Sequence, residues 1–168
     1  MQQQRPLILI TNDDSHTAKG LKKLSDLMRQ LGDVVVVSTE AVMSSKSHSA
    51  TLFQPLYVRL VDEEPGYQEY LCNGTPVDCI KLGYELILSR RPDLVVSGIN
   101  HGTNAGSTVL YSGTVGAVVE ACMDGTAGNW SRCKPGVHSA AAWTHWNTTA
   151  STWTPLRPCS RNTNSTAS

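Results

Sequence analysis

Two adjacent carboxylates, Asp13 and Asp14, follow directly on the apolar run Leu7-Ile8-Leu9-Ile10-Thr11. Like charges side by side at the end of a buried strand repel each other unless a cation holds them. Their hard oxygen donors suit Mg²⁺, Mn²⁺ or Ca²⁺. A single Asp in this place would cap the following turn, whereas the pair points to a divalent cation. Further along, the segment from Ser97 to Gly106 carries Gly98, Gly102 and Gly106, which let backbone approach a ligand closely. Its asparagines, Asn100 and Asn104, offer carbonyl ligands or amide donors. The segment fits neither the dinucleotide fingerprint nor the phosphate loop that requires Gly-Lys-Ser/Thr. Tyr111-Ser112-Gly113-Thr114 then opens a helix, where free N–H groups and the positive dipole end form a phosphate cradle. A cation held by carboxylates beside such a cradle is the outline of a phosphatase. The run Ser44-Ser45-Lys46-Ser47-His48-Ser49 adds a polar, hydroxyl-rich loop.

The elements that must position these groups read as a strand–helix–strand alternation. Leu7 to Thr11, Val34 to Val37 and Leu94 to Val96 are continuous apolar runs, as expected of strands covered on both faces in a parallel sheet. Lys19 to Leu31 places Leu21, Leu24, Met28 and Leu31 at helical spacing, with Gly32 as the stop. Thr75-Pro76-Val77-Asp78 is a helix start, with Thr75 as N-cap, Pro76 in the first position and Asp78 reaching back. A last helix over Thr114 to Met123 is expected to bury Val115, Val118, Val119 and Cys122. Thr51 to Leu60 and Tyr67 to Cys72 form a hairpin across Pro65-Gly66. The fold expected is an open α/β sheet with right-handed crossovers. Ligand sites in such sheets lie at the carboxyl ends of the strands, where the three loops above belong.

Composition narrows the remaining classes. The 168 residues suffice for one domain with an appendage, and a formal net charge of +0 gives no electrostatic case for nucleic-acid duplexes or a membrane surface. The Met1-Gln2-Gln3-Gln4-Arg5-Pro6 start lacks the pattern of a signal peptide, so a cytoplasmic protein is expected. Cys72, Cys79, Cys122, Cys133 and Cys159 show no Cys-x-x-Cys spacing and are read as free thiols. A break in composition falls near residue 125. All four tryptophans come after it, Asp and Glu vanish after Asp124, and Val137 and Leu156 are the only branched aliphatics beyond that point. The chain divides on this basis into an α/β domain over 1–125 and an atypical tail over 126–168. With permitted codons, Ala127-Gly128-Asn129-Trp130-Ser131 re-reads one nucleotide later as Pro-Ala-Ile-Gly-Val. The tail is therefore expected to be out of frame and to contribute no strand.

Taken together, these segments resemble the survival protein E (SurE) family. Ile8-Leu9-Ile10-Thr11-Asn12-Asp13-Asp14, Ser44 with His48-Ser49-Ala50-Thr51, and Asn73-Gly74-Thr75-Pro76-Val77-Asp78-Cys79 are similar to its first three signatures. Ser97-Gly98-Ile99-Asn100 with Asn104 and Gly106, and Tyr111-Ser112-Gly113-Thr114-Val115, are similar to the last two. The resemblance implies a Rossmann-like core, with the C-terminal part of the fold missing or scrambled, and a 5′(3′)-nucleotidase acting on nucleoside monophosphates with one divalent metal, Mg²⁺ or Mn²⁺. It implies Asp13, Asp14, Ser44 and Asn100 as metal ligands, with Asp13, Asp14 and Asn100 as catalytic groups and Asn104, Ser112, Gly113 and Thr114 on the phosphate side. His48 and His101 are available as acids to the leaving group, although a loop role is simpler for each. Ser15 stands where the family pattern has Gly, a strained choice if that turn needs a positive φ. Family members also form homo-oligomers through an arm that is not legible here. The alternative is an inactive fragment that keeps the site residues without turnover.

Overall fold

The computed structural model describes residues 5–102, 104, 106–133 and 143–147. Seven strands form one sheet: β1 (Leu7–Thr11), β2 (Asp33–Thr39), β3 (Val58–Glu64), β4 (Tyr67–Cys72), β5 (Leu94–Asn100), β6 (Gly128–Cys133) and β7 (Trp143–Asn147). Their spatial order is β3-β4-β2-β1-β5-β6-β7. The five inner strands run parallel, while β3 and β7 pair antiparallel at the two edges. The fold is thus the Rossmann-like, mostly parallel sheet expected.

Alternation along each inner strand divides the core into two layers. Ile8, Ile10, Val34, Val36 and Val96 face α1 (Lys19–Met28) through Leu21 and Leu24. Leu9, Val35, Val37 and Val95 face Ile80 of α2 (Pro76–Leu82) and Ala117 and Ala121 of α3 (Gly113–Met123). Helices cover both faces, so consecutive residues are all apolar; burying each such side chain contributes about 1.5–3 kcal/mol. The α2 start is as expected: the Thr75 side chain accepts from the Asp78 N–H, and Asp78 accepts from the Thr75 N–H at 2.8 Å. Beyond α2 the chain continues through a π-helical turn, Gly83–Ile87. Among the described residues, no helix is long and apolar enough to cross a membrane.

Several expectations need correction. Helix α1 ends at Met28 rather than Leu31, because the chain must turn there to bring the Asp33 N–H onto the Pro6 carbonyl at 2.8 Å. Leu31 is left 61% exposed. The first arm of the hairpin starts at Val58, not Thr51, since the Thr51 N–H and hydroxyl are committed to the Asp78 carboxylate. Val119 faces outward at 39% exposure, while Glu120 beside it is buried. The tail departs most. Residues after 125 do contribute strands: β6 pairs in parallel with β5, and Trp130 is buried against Val115 and Val118. Strand pairing needs only backbone groups and a buried neighbour, and one tryptophan supplies the apolar area that missing Ile and Val would have given. Trp153 and Cys159 lie outside the described residues.

Glu120 joins elements that the sheet alone does not. Its carboxylate pairs with Lys81 of α2 through one oxygen and accepts from His48 at 2.7 Å through the other. Burial pushes its pKa up, but Lys81 and His48 outweigh this and hold it below the ordinary 4.5. A lowered carboxylate pKa contributes stability above its unfolded value, and the contribution is lost as pH falls through the folded value. Glu120→Gln should therefore lower stability near pH 7 by about 1 kcal/mol, or about 2–4 °C in Tm for a chain of this size. The gap should close as the pH is taken below 4.5. Thermal melts of both proteins across pH 3 to 8 check this; a gap unchanged at low pH would contradict it.

Candidate active site

The parallel register sets the site. Ile8 pairs with Leu94 and Thr11 with Ser97, so the Asp13-Asp14 loop and the Asn100-His101 loop leave adjacent strands at the same edge. On the other side of β1, the His16 N–H donates to the Thr39 carbonyl at the end of β2 at 3.1 Å. The loop after β2 is drawn in by the Met43 N–H, which donates to the Asp13 carbonyl at 2.8 Å, one residue before Ser44. The N-terminus of α3 closes the fourth side.

Asp13 is the most constrained of these residues. Only 4% exposed, it accepts from the Thr114 hydroxyl at 2.6 Å through Oδ1 and from the Thr114 N–H at 3.2 Å through Oδ2. Burial pushes its carboxyl above the ordinary carboxylate value; the Thr114 hydroxyl offsets this in part, and the charge of Asp14 adds to it. Gly113 sits in a tight spot: a Cβ there would lie 3.1 Å from Pro76 and 3.2 Å from the Asp13 Cβ, close enough that a neighbour would have to give by a few tenths of an ångström. Ser112 caps α3, its side chain accepting from the Val115 N–H at 3.2 Å. Asp14 Oδ2 accepts from the His101 N–H at 2.7 Å, which bridges the two loops. Asn100 Nδ2 donates to Asn104 Oδ1 at 3.1 Å, so the Asn100 carbonyl is the end that can act as a ligand. Asn104 Nδ2 is buried with no hydrogen-bond partner among the described residues, a donor that suits an anion.

All eight expected site residues thus converge at the carboxyl ends of β1, β2 and β5 and the start of α3. The geometry places Thr114 differently from the phosphate-lining position expected: its N–H and hydroxyl go to Asp13. Ser15 has φ +73°, the conformation in which glycine is favoured, and its carbonyl accepts from Asn12 Nδ2 at 2.7 Å. Among the described residues no three His, Cys, Asp or Glu side chains gather at one point. The donors at the strand ends are instead two carboxylates, an amide and a hydroxyl, all hard oxygens that fit Mg²⁺ or Mn²⁺. A buried carboxylate of raised pKa beside a second carboxylate is the electrostatic setting that a cation relieves.

The survival protein SurE family model matches residues 8–152. The chain belongs to the SurE family. It is 47% identical over 125 residues to the 5′-nucleotidase SurE of Bacteroides fragilis, covering 74% of this chain and 49% of that protein. The 5′-nucleotidase SurE of Cytophaga hutchinsonii is 43% identical over 137 residues, covering 80% and 53%. The crystal structure of the SurE protein from Aquifex aeolicus superposes with a TM-score of 0.65 at 39% identity, covering 73% of this chain and 49% of that one. The chain spans about half the length of the curated relatives it matches.

Two residues of this SurE site had no local signal for their wider role. Asp78 reads in sequence as a cap, yet its carboxylate also takes the Thr51 N–H and hydroxyl and so ties the end of the Ser44 loop to α2. Thr114 reads as a helix start, yet it is the partner of Asp13. Thr114→Val keeps the shape and removes the hydroxyl, leaving a buried carboxylate oxygen short of a donor. The metal-free protein should lose about 1.5–3 kcal/mol, measured by urea unfolding. A loss below about 0.5 kcal/mol would show that Thr114 does not hold Asp13.

Proposed function

We propose that the chain is a divalent-cation-dependent 5′-nucleotidase that hydrolyses nucleoside 5′-monophosphates to nucleoside and inorganic phosphate. The observation that supports this reading is the packing of Asp13, with Asp14 beside it in sequence, against the N-terminus of α3, where a cation and an anion would lie side by side. The names of the relatives above, each a 5′-nucleotidase SurE, support it.

Asp13, Asp14, the Asn100 carbonyl and the Ser44 hydroxyl would hold the cation. When bound it would supply charge neutralisation and Lewis-acid polarisation of a phosphoryl oxygen. The remaining work belongs to the chain's own groups. Asn104 Nδ2 and the Gly113 N–H grip the phosphoryl oxygens, and the positive end of α3 stabilises the charge that builds on them. Asp13, held by both Thr114 donors, keeps its position as the substrate enters. Water attacks phosphorus, the bond to the 5′-oxygen breaks, and the nucleoside leaves with a proton. The substrate is a free nucleotide, with no nucleic-acid duplex involved.

Phosphate release from a nucleoside 5′-monophosphate should require added Mg²⁺ or Mn²⁺ and stop in excess chelator. Asp14→Asn should reduce it to background with the fold intact by circular dichroism. Full rates in chelator would overturn the cation assignment, and an unaltered chain with no turnover in either metal would favour the inactive fragment.

The division at residue 125, with an out-of-frame origin for 126–168, belongs to the same reading and rests on the composition break. The nucleotide sequence around codon 125 decides: a one-nucleotide correction should restore an apolar strand, and a confirmed frame overturns the idea.

A further inference from the structure

The connection from Glu40 to Tyr57 has no regular secondary structure, and its Ser44–Ser49 part is polar. Such a segment would be expected to wander, yet it is tethered repeatedly. The Ser47 N–H donates to the Tyr111 carbonyl at 3.1 Å, and the Ser47 hydroxyl donates to the Leu110 carbonyl at 2.6 Å. Thr75 Oγ1 donates to the Ser49 carbonyl at 2.6 Å. Between these lies His48, whose Nε2 meets Glu120 Oε2 at 2.7 Å although the two are 72 positions apart. The loop also sits hard on α3: a Cβ at Gly116 would lie 2.7 Å from the Ser47 carbonyl, so only glycine admits this approach. Ser45 and Ser47 hold φ of +62° and +59°, conformations that non-glycine residues keep only when neighbours enforce them.

We propose that His48, through its bond to the buried Glu120 on α3, is a positioning residue that holds the Ser44 loop in the geometry needed to bind the cation. The proposal rests on the cation reading of the site given above. The same helix that receives Asp13 at Thr114 thereby fixes the loop that carries Ser44. Two oxygen ligands on separate strands' loops are then referred to one rigid element, and the bound geometry is set before the cation arrives. The Ser47 bonds alone would leave two strained residues held from one side. Glu120 by itself is a poor probe, because its other oxygen joins Lys81 and links α2 to α3. His48 is 38% exposed and contacts Glu120 without that second duty, so it isolates the loop function.

The test uses the full chain with Mn²⁺ alone, comparing the unaltered protein with His48→Ala and His48→Gln. Three quantities are read: Mn²⁺ affinity by calorimetry, amide exchange of Ser45 to Ser49 without metal, and Tm. His48→Ala should weaken Mn²⁺ about tenfold, speed exchange at the Ser47 amide, and leave Tm within about 2 °C. His48→Gln, whose amide can still donate to Glu120, should recover most of the affinity and the protection. Unchanged exchange at Ser47 in His48→Ala overturns the anchor whatever the metal result. Faster exchange with unchanged Mn²⁺ affinity overturns the positioning role. If the unaltered chain binds no Mn²⁺, the cation reading itself falls, and His48 with it.

Discussion

The structure depends on a carboxylate placed almost entirely out of solvent. Asp13 is buried at the end of β1, and a lone charged carboxylate in that position would cost several kcal/mol. The N-terminus of α3 offsets this: the Thr114 hydroxyl and N–H supply two bonds, and the helix dipole adds a favourable field. The arrangement leaves little room for a side chain at Gly113 and uses Ser112 as the cap. It also fixes where α3 starts, and through Ala117 and Ala121 how the helix lies on the sheet. Compensation is incomplete, since the Asp13 pKa remains raised with Asp14 beside it. That uncompensated charge is what favours the proposed cation at this strand end.

Around this contact the loops are arranged by long-range side-chain bonds rather than by secondary structure. Asp78 collects donors from Thr75 and Thr51, Asp14 takes the His101 N–H, and Glu120 takes His48. Each of these carboxylates joins two elements that meet at the same edge of the sheet. The loops of a SurE site can therefore be polar and glycine-rich, as ligand access demands, while still holding a defined geometry.

Legibility in the sequence follows the same division. Strands β1, β2 and β5 were readable because both faces are covered, so their apolar runs are unbroken over Leu7–Thr11, Val34–Val37 and Leu94–Val96. Helix α2 announced itself through Thr75-Pro76-Val77-Asp78, a purely local capping pattern. The candidate site residues read as motifs, since Asp13-Asp14 and Ser112-Gly113-Thr114 are contiguous. What was not legible is who bonds to whom: the Thr114 partner of Asp13 lies 101 positions away and that of His48 lies 72 away. Strand β6 was missed for another reason. Gly128-Asn129-Trp130-Ser131-Arg132-Cys133 has no strand-like apolar pattern, and only the vacant edge of β5 and the Trp130 contact with α3 make it one.

On the proposed reading, these loops and α3 build a single divalent-cation site at the ends of β1 and β5. A crystal of the full chain soaked in Mn²⁺ and measured at an anomalous wavelength tests it directly. One anomalous peak should appear between Asp13, Asp14 and Asn100, with oxygen distances of about 2.0–2.3 Å. An ordered site showing no peak there at millimolar Mn²⁺, or a peak only on exposed surface carboxylates, would contradict the account.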